Sequence, residues 1–307
     1  MRTVYLGTSE FAATVLGRLA DSPHRPQLVL TPPDSRRGRG RREQPPPAAA
    51  LATKIGLELC QSENVNEGEA LERIRAAAPE ALAVCAFGQL IREPLLSELE
   101  ILNVHPSLLP RWRGAAPIER AIMAGDERTG VCIMRLTAGL DSGPVALCEE
   151  VPVGAEEGFE ELSATLAKRG GDLLVRAFDA AAAGTLEFVE QDDATATYAE
   201  KIDPAERRLD PARPAAELAA KVRALNPHVG TYLDTVGGER LGVRAASLVE
   251  DGSGAQTPAP GRLGGIDGDL LLGCAPGVLR LEVVQPPGGR PMPADAFLRG
   301  HELPRLA

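Results

Sequence analysis

Residues 81–109 read ALAVCAFGQLIREPLLSELEILNVHPSLL, and this stretch indicates the fold of the first half of the chain. Its first seven residues form a continuous apolar run without polar alternation, which is typical of a strand buried on both faces of a parallel sheet. A second short strand, ILNVH, ends at His105 because Pro106 cannot continue the ladder of hydrogen bonds. The stretch therefore predicts two strands of a parallel sheet.

Further strands and helices are predicted on either side of this stretch. Short β-rich runs alternate with helical patterns through residue 152, as they do in a parallel sheet with crossover helices. GVCIMRL predicts another strand, and the helical pattern at 157–184 is expected to be interrupted near Gly170 and Gly171. The first strand leads into GTSEFA, which lacks the G-x-G-x-x-G spacing, so a dinucleotide site is not expected.

Beyond residue 185 the pattern changes to one helix followed by alternating runs separated by Gly-Gly and Asp-Gly pairs, which are hairpin signals. We therefore predict an α/β protein with a Rossmann-like, open, mostly parallel sheet and flanking helices at 1–185. A linker is expected at 186–206, and a small antiparallel β-barrel of OB-like type at 207–307.

The composition indicates an ordinary globular protein. Of its 307 residues, 44% are hydrophobic and 25% are charged, and the length favours two domains. No apolar run approaches the roughly 20 residues needed to cross a bilayer, and the N-terminal apolar stretch is too short for a secretory signal. We therefore expect a cytoplasmic protein without a membrane partner. Because no C-x-x-C spacing occurs, we expect no metal site and buried, reduced thiols at Cys60, Cys85, Cys132, Cys148 and Cys274.

One strongly basic segment, PPDSRRGRGRREQPPP at 32–47, contrasts with the net charge of −10. The net charge argues against unspecific nucleic-acid binding over the whole surface. The segment has five arginines within seven residues, between Pro and Gly residues that oppose regular structure: Arg36, Arg37, Arg39, Arg41 and Arg42. It is either a solvated loop or an arm that binds phosphates. Lys201, Arg207 and Arg208 either extend this basic track or are solvated cations of the linker.

Asn103 and His105 form the main candidate site. Side chains on a strand alternate between its faces, so these two point the same way, at the carboxyl edge where ligands of open parallel sheets bind. An amide beside an imidazole suits an oxygen on which negative charge develops. Asp141 follows the next strand in a Gly-rich turn, and we expect it to orient the imidazole. Taken singly, His105 is also compatible with a structural histidine and Asp141 with a turn former.

Longer strings around these residues resemble a known family. NVHPSLLPRWRGAAPIERAI together with GLDSG is similar to the formyltransferases that use 10-formyltetrahydrofolate. GTSEFA, the basic segment, AFGQLI, YAEKI and LNPHVGTY resemble the members of that family that act on charged initiator tRNA. The resemblance implies catalytic roles for Asn103, His105 and Asp141.

The same resemblance implies the remaining site residues. It assigns folate binding to a loop, with the pterin expected against the backbone of a second loop: Ser107, Leu108, Leu109 and Pro110, then Phe87, Gly88, Gln89 and Leu90. It assigns contacts with the tRNA acceptor stem to the five arginines of the basic segment, with Arg39 at the family's Gly-Arg-Gly. We add Lys201 to these contacts as an extension of the basic track. The implied reaction transfers a formyl group from 10-formyltetrahydrofolate, a co-substrate, to the α-amine of initiator methionyl-tRNA. We expect a monomer and no metal.

Three other interpretations stay open at this point. Ser107, His105 and Asp141 are the residue types of a hydrolase triad, although Ser107 lies in HPSLLP and not in a G-x-S-x-G elbow. A nucleotide-linked amino sugar is an alternative acceptor for the same folate chemistry. A non-catalytic RNA-binding module would leave the arrangement of Asn103, His105 and Asp141 unexplained.

Overall fold

The computed structural model of the chain describes residues 1–37, 42–249, 257–266 and 268–307. Within these residues the strands are β1 Thr3–Gly7, β2 Leu28–Thr31, β3 Ser35–Arg37, β4 Arg42–Gln44, β5 Glu58–Gln61, β6 Ala81–Cys85, β7 Glu100–His105, β8 Arg113–Gly114, β9 Arg128–Arg135, β10 Val145–Pro152, β11 Tyr198–Ala199, β12 Thr231–Asp234, β13 Arg240–Leu248, β14 Leu263–Ile266, β15 Asp269–Gly273, β16 Val278–Gln285 and β17 Met292–Pro293. The helices are α1 Glu10–Ala20, α2 Pro47–Lys54, α3 Gly68–Ala76, α4 Leu95–Glu98, α5 Pro117–Ala124, α6 Phe159–Ala182, α7 Ala215–Leu225 and α8 Ala294–Gly300. None of the helices in these residues has both the length and the apolarity needed to span a bilayer.

The chain divides into two compact units, the first of which comprises Met1–Pro117, Arg128–Pro152 and Ser163–Ala199. Its main sheet has the strand order β10-β9-β7-β6-β1-β2-β5. The five strands from β7 to β5 in this order are parallel to one another. At the other edge, β9 pairs antiparallel with β7, and β10 pairs antiparallel with β9. Every residue of β6 is buried, as its apolar run predicts. The predicted open, mostly parallel sheet with flanking helices is confirmed.

β9 runs antiparallel to β7, so the strand that precedes Asp141 does not end at the sheet edge where His105 lies. β9 pairs antiparallel with β7, with Cys132 opposite His105 and Arg135 opposite Leu102. The carboxyl end of β9 therefore lies three residues, or about 10 Å, away from His105 along β7. Asp141 comes near His105 only because the loop at 136–144 folds back over the sheet.

The long helix α6 is continuous, so the expected interruption near Gly170 and Gly171 is wrong. A Cβ atom on Gly170 would lie 2.8 Å from Cγ1 of Val104, and one on Gly171 would lie 2.7 Å from Cβ and Cγ of Arg18. The two glycines therefore allow close packing of α6 against β7 and α1. They do not end the helix.

The expectation of reduced cysteines is wrong for one pair, because Cys132 and Cys148 form a disulfide. These residues lie directly opposite each other on the antiparallel strands β9 and β10, a register that sequence spacing does not reveal. The remaining cysteines, Cys60, Cys85 and Cys274, are free and buried. Burial raises the pKa of the Cys85 thiol to about 12 and that of Cys274 to about 11, so both are neutral at physiological pH.

The second unit comprises Ile118–Glu127, Val153–Leu162 and Glu200–Ala307. Its sheet is antiparallel in the order β12-β13-β16-β15-β14, with β17 paired to β16. Leu218 and Val222 of α7 join a buried apolar cluster with side chains from these strands. The predicted antiparallel β structure of the C-terminal part is confirmed, and the predicted boundaries of the domains and linker stay a prediction.

Candidate active site

Asn103 lies at the carboxyl end of β7 with its side chain on the same face as those of Ile101 and His105. Val104 points to the opposite face, where it contacts α6 at Gly170. Asn103 is only 8% exposed, yet its side-chain amide makes none of the hydrogen bonds found among the described residues. This amide is not among the fully buried, unpaired polar atoms of the described residues, so it is reachable and available to a bound molecule.

The imidazole of His105 is buried between two oxygen atoms. Nε2 lies 2.9 Å from the carbonyl oxygen of Trp112, and because that oxygen can only accept, Nε2 donates the hydrogen bond. Nδ1 lies 3.7 Å from Oδ2 of Asp141, which is beyond hydrogen-bond distance. The contact with Trp112 fixes the ring, and Nδ1 is the nitrogen that remains for a substrate.

Asp141 is held by hydrogen bonds to both its backbone and its side chain. Its φ angle is +44°, in the left-handed region that non-glycine residues rarely adopt. The backbone N–H of Gly114 donates to Oδ2 at 2.8 Å. Nε2 of Gln191 donates to the carbonyl oxygens of Asp141 and Gly143 at 2.8 and 2.7 Å. The structure thus brings together the three predicted catalytic residues.

Arg113 and Trp112, which follow the loop after β7, anchor this site in the first unit. Arg113 is 3% exposed; it donates to Oε1 of Gln191 at 3.0 Å and pairs with Asp193 at 2.8 Å. The backbone N–H of Trp112 donates to Oγ1 of Thr197 at 2.9 Å. Sequence reasoning missed Gln191 and Thr197, because they lie in a segment without a recognisable motif that was predicted to be a linker.

In the loop after β7 that the resemblance assigns to folate, most side chains are buried or half-buried by contacts within the protein. Ser107 is fully buried, and its hydroxyl donates to the carbonyl oxygen of Arg111 at 2.6 Å. Leu108 packs closely against Gly130 of β9. Leu109 and Pro110 are half-buried. Ser107 therefore stabilises the turn.

The other predicted folate loop, at 87–90, follows β6. Because β6 and β7 are adjacent parallel strands, this loop lies at the same sheet edge as His105. Phe87 is buried, and its carbonyl oxygen accepts from Oγ1 of Thr8 at 2.6 Å. The amide of Gln89 is committed to the backbone of Ser62 and Val65.

The rest of this loop is open. Gly88 is exposed with φ +81°, and a Cβ atom on it would have no neighbour within 4 Å among the described residues. Leu90 is 61% exposed. Gly88 therefore presents exposed backbone in this loop, and contact of the pterin with it stays a prediction. Within the described ranges no group of three or more His, Cys, Asp or Glu side chains is arranged to hold a metal ion.

The basic segment has more regular structure than we expected. β3 and β4 pair antiparallel, with Arg36 opposite Glu43 and Arg37 opposite Arg42. Arg36 is exposed. Arg39 and Arg41 lie outside the described residues. The expectation that this segment has no regular structure is therefore wrong on both sides of 38–41, because the residues flanking the glycines are able to pair.

The cations of the predicted linker differ in their contacts, all within the second unit. Lys201 is exposed. Nε of Arg207 donates to the carbonyl oxygen of Gly230 at 3.0 Å, and Arg208 pairs with Asp234 at 3.1 Å. Arg207 and Arg208 are therefore engaged in contacts of their own unit.

Comparisons with known proteins add the following similarities. Two family models match the chain, "Formyl transferase" over residues 1–178 and "Formyl transferase, C-terminal domain" over residues 201–302. A methionyl-tRNA formyltransferase of Cereibacter sphaeroides is 39% identical over 307 residues, covering 99% of this chain and 98% of that protein. One of Pseudomonas paraeruginosa is 42% identical over 294 residues, covering 95% and 93%.

A solved structure shares the fold at much lower identity. It is an N-formyltransferase from Helicobacter canadensis in complex with folinic acid and dTDP-3-aminofucose. It has a TM-score of 0.66 at 12% sequence identity, and the match covers 92% of this chain and 98% of that one. At this identity the likeness concerns the fold alone.

Proposed function

Because the chain belongs to the formyl transferase family, we propose that it transfers a formyl group from 10-formyltetrahydrofolate to the α-amine of methionine on charged initiator tRNA. Relatives named methionyl-tRNA formyltransferase, at 39% and 42% identity over nearly the full length, support this acceptor. The observation that carries the proposal is the amide of Asn103, which makes no hydrogen bond among the described residues, beside His105, whose ring is fixed by Trp112 and faces Asp141.

The residues divide the chemistry between them. When bound, 10-formyltetrahydrofolate supplies the formyl group from its N10 atom. As the C–N10 bond breaks, N10 keeps the electron pair and takes up a proton. Nδ2 of Asn103 donates to the formyl oxygen on which negative charge develops. His105 contacts the substrate through Nδ1, because Nε2 already donates to the carbonyl oxygen of Trp112. Asp141 aligns the ring and accepts the proton that the attacking amine loses. This proton then passes through water to N10.

The hydrolase alternative is disfavoured by the hydrogen bonds of Ser107. Its hydroxyl donates to the carbonyl oxygen of Arg111, and its backbone N–H donates to the carbonyl oxygen of His105. A nucleophilic serine would instead have to donate to a ring nitrogen of the histidine. A non-catalytic module would give no reason for an asparagine amide that makes no hydrogen bond among the described residues beside a fixed His105.

For the tRNA, we assign phosphate contacts to the basic segment and to Lys201. The exposure of Arg36 and Lys201 supports this assignment. Arg37, Arg39, Arg41 and Arg42 are included on the basis of the sequence resemblance. Arg207 and Arg208 are left out, because both already have partners within the second unit. We propose that the chain acts as a monomer.

A single assay tests the acceptor. The protein is offered 10-formyltetrahydrofolate with charged initiator tRNA, charged elongator tRNA or an amino-sugar nucleotide, with the Asn103→Ala variant as the control of strongly reduced activity. We expect formylmethionine on the initiator tRNA, less product on the elongator tRNA and none on the sugar. Formylation of the sugar with no product on either tRNA would overturn the proposal in favour of the sugar acceptor.

A further inference from the structure

We propose that residues 191–199, here called the bracing segment, position both His105 and Asp141 for the reaction. Gln191 acts through the Asp141 loop, and Thr197 acts through Trp112 and the ring of His105. This inference rests on the proposed function, because it assumes that His105 and Asp141 take part in formyl transfer. It gives a catalytic purpose to a segment that the sequence predicted to be a connection between domains.

The Asp141 loop needs an external support. It follows β9, whose carboxyl end lies beside Leu102, and it must fold back to bring its carboxylate towards His105. Asp141 adopts φ +44°, a conformation that persists only where the surroundings impose it. Without a fixed backbone at this residue, the carboxylate would not keep its place 3.7 Å from Nδ1.

Gln191 supplies that support with every polar atom of its side chain. Its amide nitrogen donates to the carbonyl oxygens of Asp141 and Gly143, the residues on either side of Ser142, and so holds the backbone of this turn. Its amide oxygen accepts from Nε of Arg113 at 3.0 Å. Arg113 is buried, so the orientation of the glutamine amide is itself fixed.

Thr197 supports the other half of the site. Its hydroxyl oxygen accepts from the backbone N–H of Trp112, and its carbonyl oxygen accepts from the backbone N–H of Arg113 at 2.9 Å. The carbonyl oxygen of Trp112 in turn accepts from Nε2 of His105. Trp112 has φ +62°, so this peptide too is held in a conformation that the chain rarely adopts.

The bracing segment is also tied to the site by backbone pairing. β11 pairs in parallel with β8, so that Tyr198 lies opposite Arg113 and Ala199 opposite Gly114. A Cβ atom on Gly114 would lie 2.7 Å from the carbonyl oxygen of Ala199, so only glycine fits at this close approach. The same Gly114 donates its N–H to Oδ2 of Asp141. The carboxylate of Asp141 is therefore held through Gly114, and its backbone is held through Gln191.

The test is a double-mutant cycle with Gln191→Met, which keeps the length of the side chain and removes its hydrogen bonds. Misplacing a reacting group by about 1 Å costs on the order of 10²-fold in rate. We expect Gln191→Met to lower kcat by about 10- to 100-fold, with little change in KM for either substrate. In an Asp141→Asn background, the additional loss of kcat caused by Gln191→Met should fall to about 3-fold or less. In an Asn103→Ala background, this loss of kcat should persist in full.

Gln285→Met is the matched control. Gln285 has a comparable arrangement in the second unit, where its amide nitrogen donates to one carbonyl oxygen, that of Gly289, and its amide oxygen accepts from Arg244. We expect this variant to lower the thermal midpoint to a similar degree as Gln191→Met while its kcat stays within about 2-fold of the parent. The comparison separates loss of stability from loss of positioning.

Thr197→Val keeps the test decisive if Gln191→Met does not fold. This nearly isosteric change removes one hydrogen bond, and its effect on kcat should disappear in a His105→Ala background and persist in Asn103→Ala. Equal losses in every background would overturn the positioning role, even where the parent formylates initiator tRNA and the proposed function stands. A parent without formyl transfer would overturn the proposed function and this inference together.

Discussion

Oδ2 of Asp141 lies 3.7 Å from Nδ1 of His105, although the strand that leads into the Asp141 loop ends beside Leu102. The carboxylate reaches the imidazole because its loop folds back and is held there by Gly114 and Gln191. The site therefore depends on contacts between segments far apart in the sequence. Matched substitutions can therefore separate residues that act on the substrate from residues that only support the fold.

Asn103→Ala should lower kcat by about 10²- to 10³-fold, because one donor to the developing negative charge is lost. The free energy of unfolding should change little, since the Asn103 amide makes no hydrogen bond among the described residues. Single-turnover formylation and thermal unfolding measure the two effects.

Asn226→Ala is the control for this change, with the opposite expected pattern. The Asn226 amide donates to the carbonyl oxygens of Val222 and Val243 and to Oγ1 of Thr231. Its loss should reduce stability while kcat stays near that of the parent. Normal turnover in Asn103→Ala would remove that residue from the mechanism.

Asp141→Asn should lower kcat by about 10²-fold or more, because the carboxylate that accepts the proton of the amine becomes a neutral amide. The protein contains a second His–Asp pair for comparison. Nε2 of the buried His24 lies 2.8 Å from Oδ1 of Asp179, a shorter contact than that in the site. Asp179→Asn should leave kcat unchanged. Equal effects of the two substitutions in a steady-state assay would show that Asp141 acts on stability alone.

Gly170→Ala should lower the free energy of unfolding by about 1 kcal/mol. The new Cβ would lie 2.8 Å from Cγ1 of the buried Val104, and such overpacking outweighs the better helix propensity of alanine. Gly17→Ala in α1 is the control, because the nearest atom to its Cβ is Cδ2 of Leu51 at 3.8 Å. That variant should gain about 0.5 to 1 kcal/mol. Urea unfolding of both variants checks the pair, and a stabilised Gly170→Ala would contradict the close packing of α6.

Glu206→Gln should destabilise the protein in a pH-dependent way. Arg120 binds the Glu206 carboxylate through two hydrogen bonds, of 2.6 and 2.9 Å, and this lowers the pKa of Glu206 from its usual 4.5. A depressed folded-state pKa means that the stabilisation is complete above about pH 4.5 and is lost as the pH falls through the folded-state pKa.

We expect a difference of about 1 to 2 kcal/mol between the parent and Glu206→Gln at pH 7, since both groups are partly screened by solvent. The difference should close in denaturant unfolding curves recorded at successively lower pH. Glu217→Gln, which breaks an exposed i,i+4 pair with Arg213, should have little effect. A difference that persists in acid would show that the ionised carboxylate is not the cause.

Replacing Arg36 and Arg39 by alanine should weaken tRNA binding for every sequence and make the salt dependence shallower by about one unit per arginine, if each neutralises one phosphate. Arg176→Ala is the control, because this arginine on α6 is also largely exposed, at 63% of its side chain. Binding titrations at several salt concentrations measure the slope. An unchanged slope in the double variant would contradict the assignment of the basic segment.

The sequence by itself determined the local features of this site. Strand periodicity placed Asn103 and His105 on one face, Pro106 marked the end of β7, and the unbroken apolar run identified β6 as a buried parallel strand. The resemblance of the strings around these residues was sufficient to identify the family that the comparisons confirm. These features follow from neighbouring residues, so short-range rules describe them well.

Only the tertiary structure decided how these parts are held together. The antiparallel direction of β9, the disulfide between Cys132 and Cys148, and the unbroken α6 all depend on pairing and packing between distant segments. Gln191 reaches Asp141 from 50 residues away in the sequence and is held by Arg113, 78 residues away. Such contacts carry no local pattern, because one hydrogen-bonding side chain in a loop looks like any other until the fold brings its partners within about 3 Å.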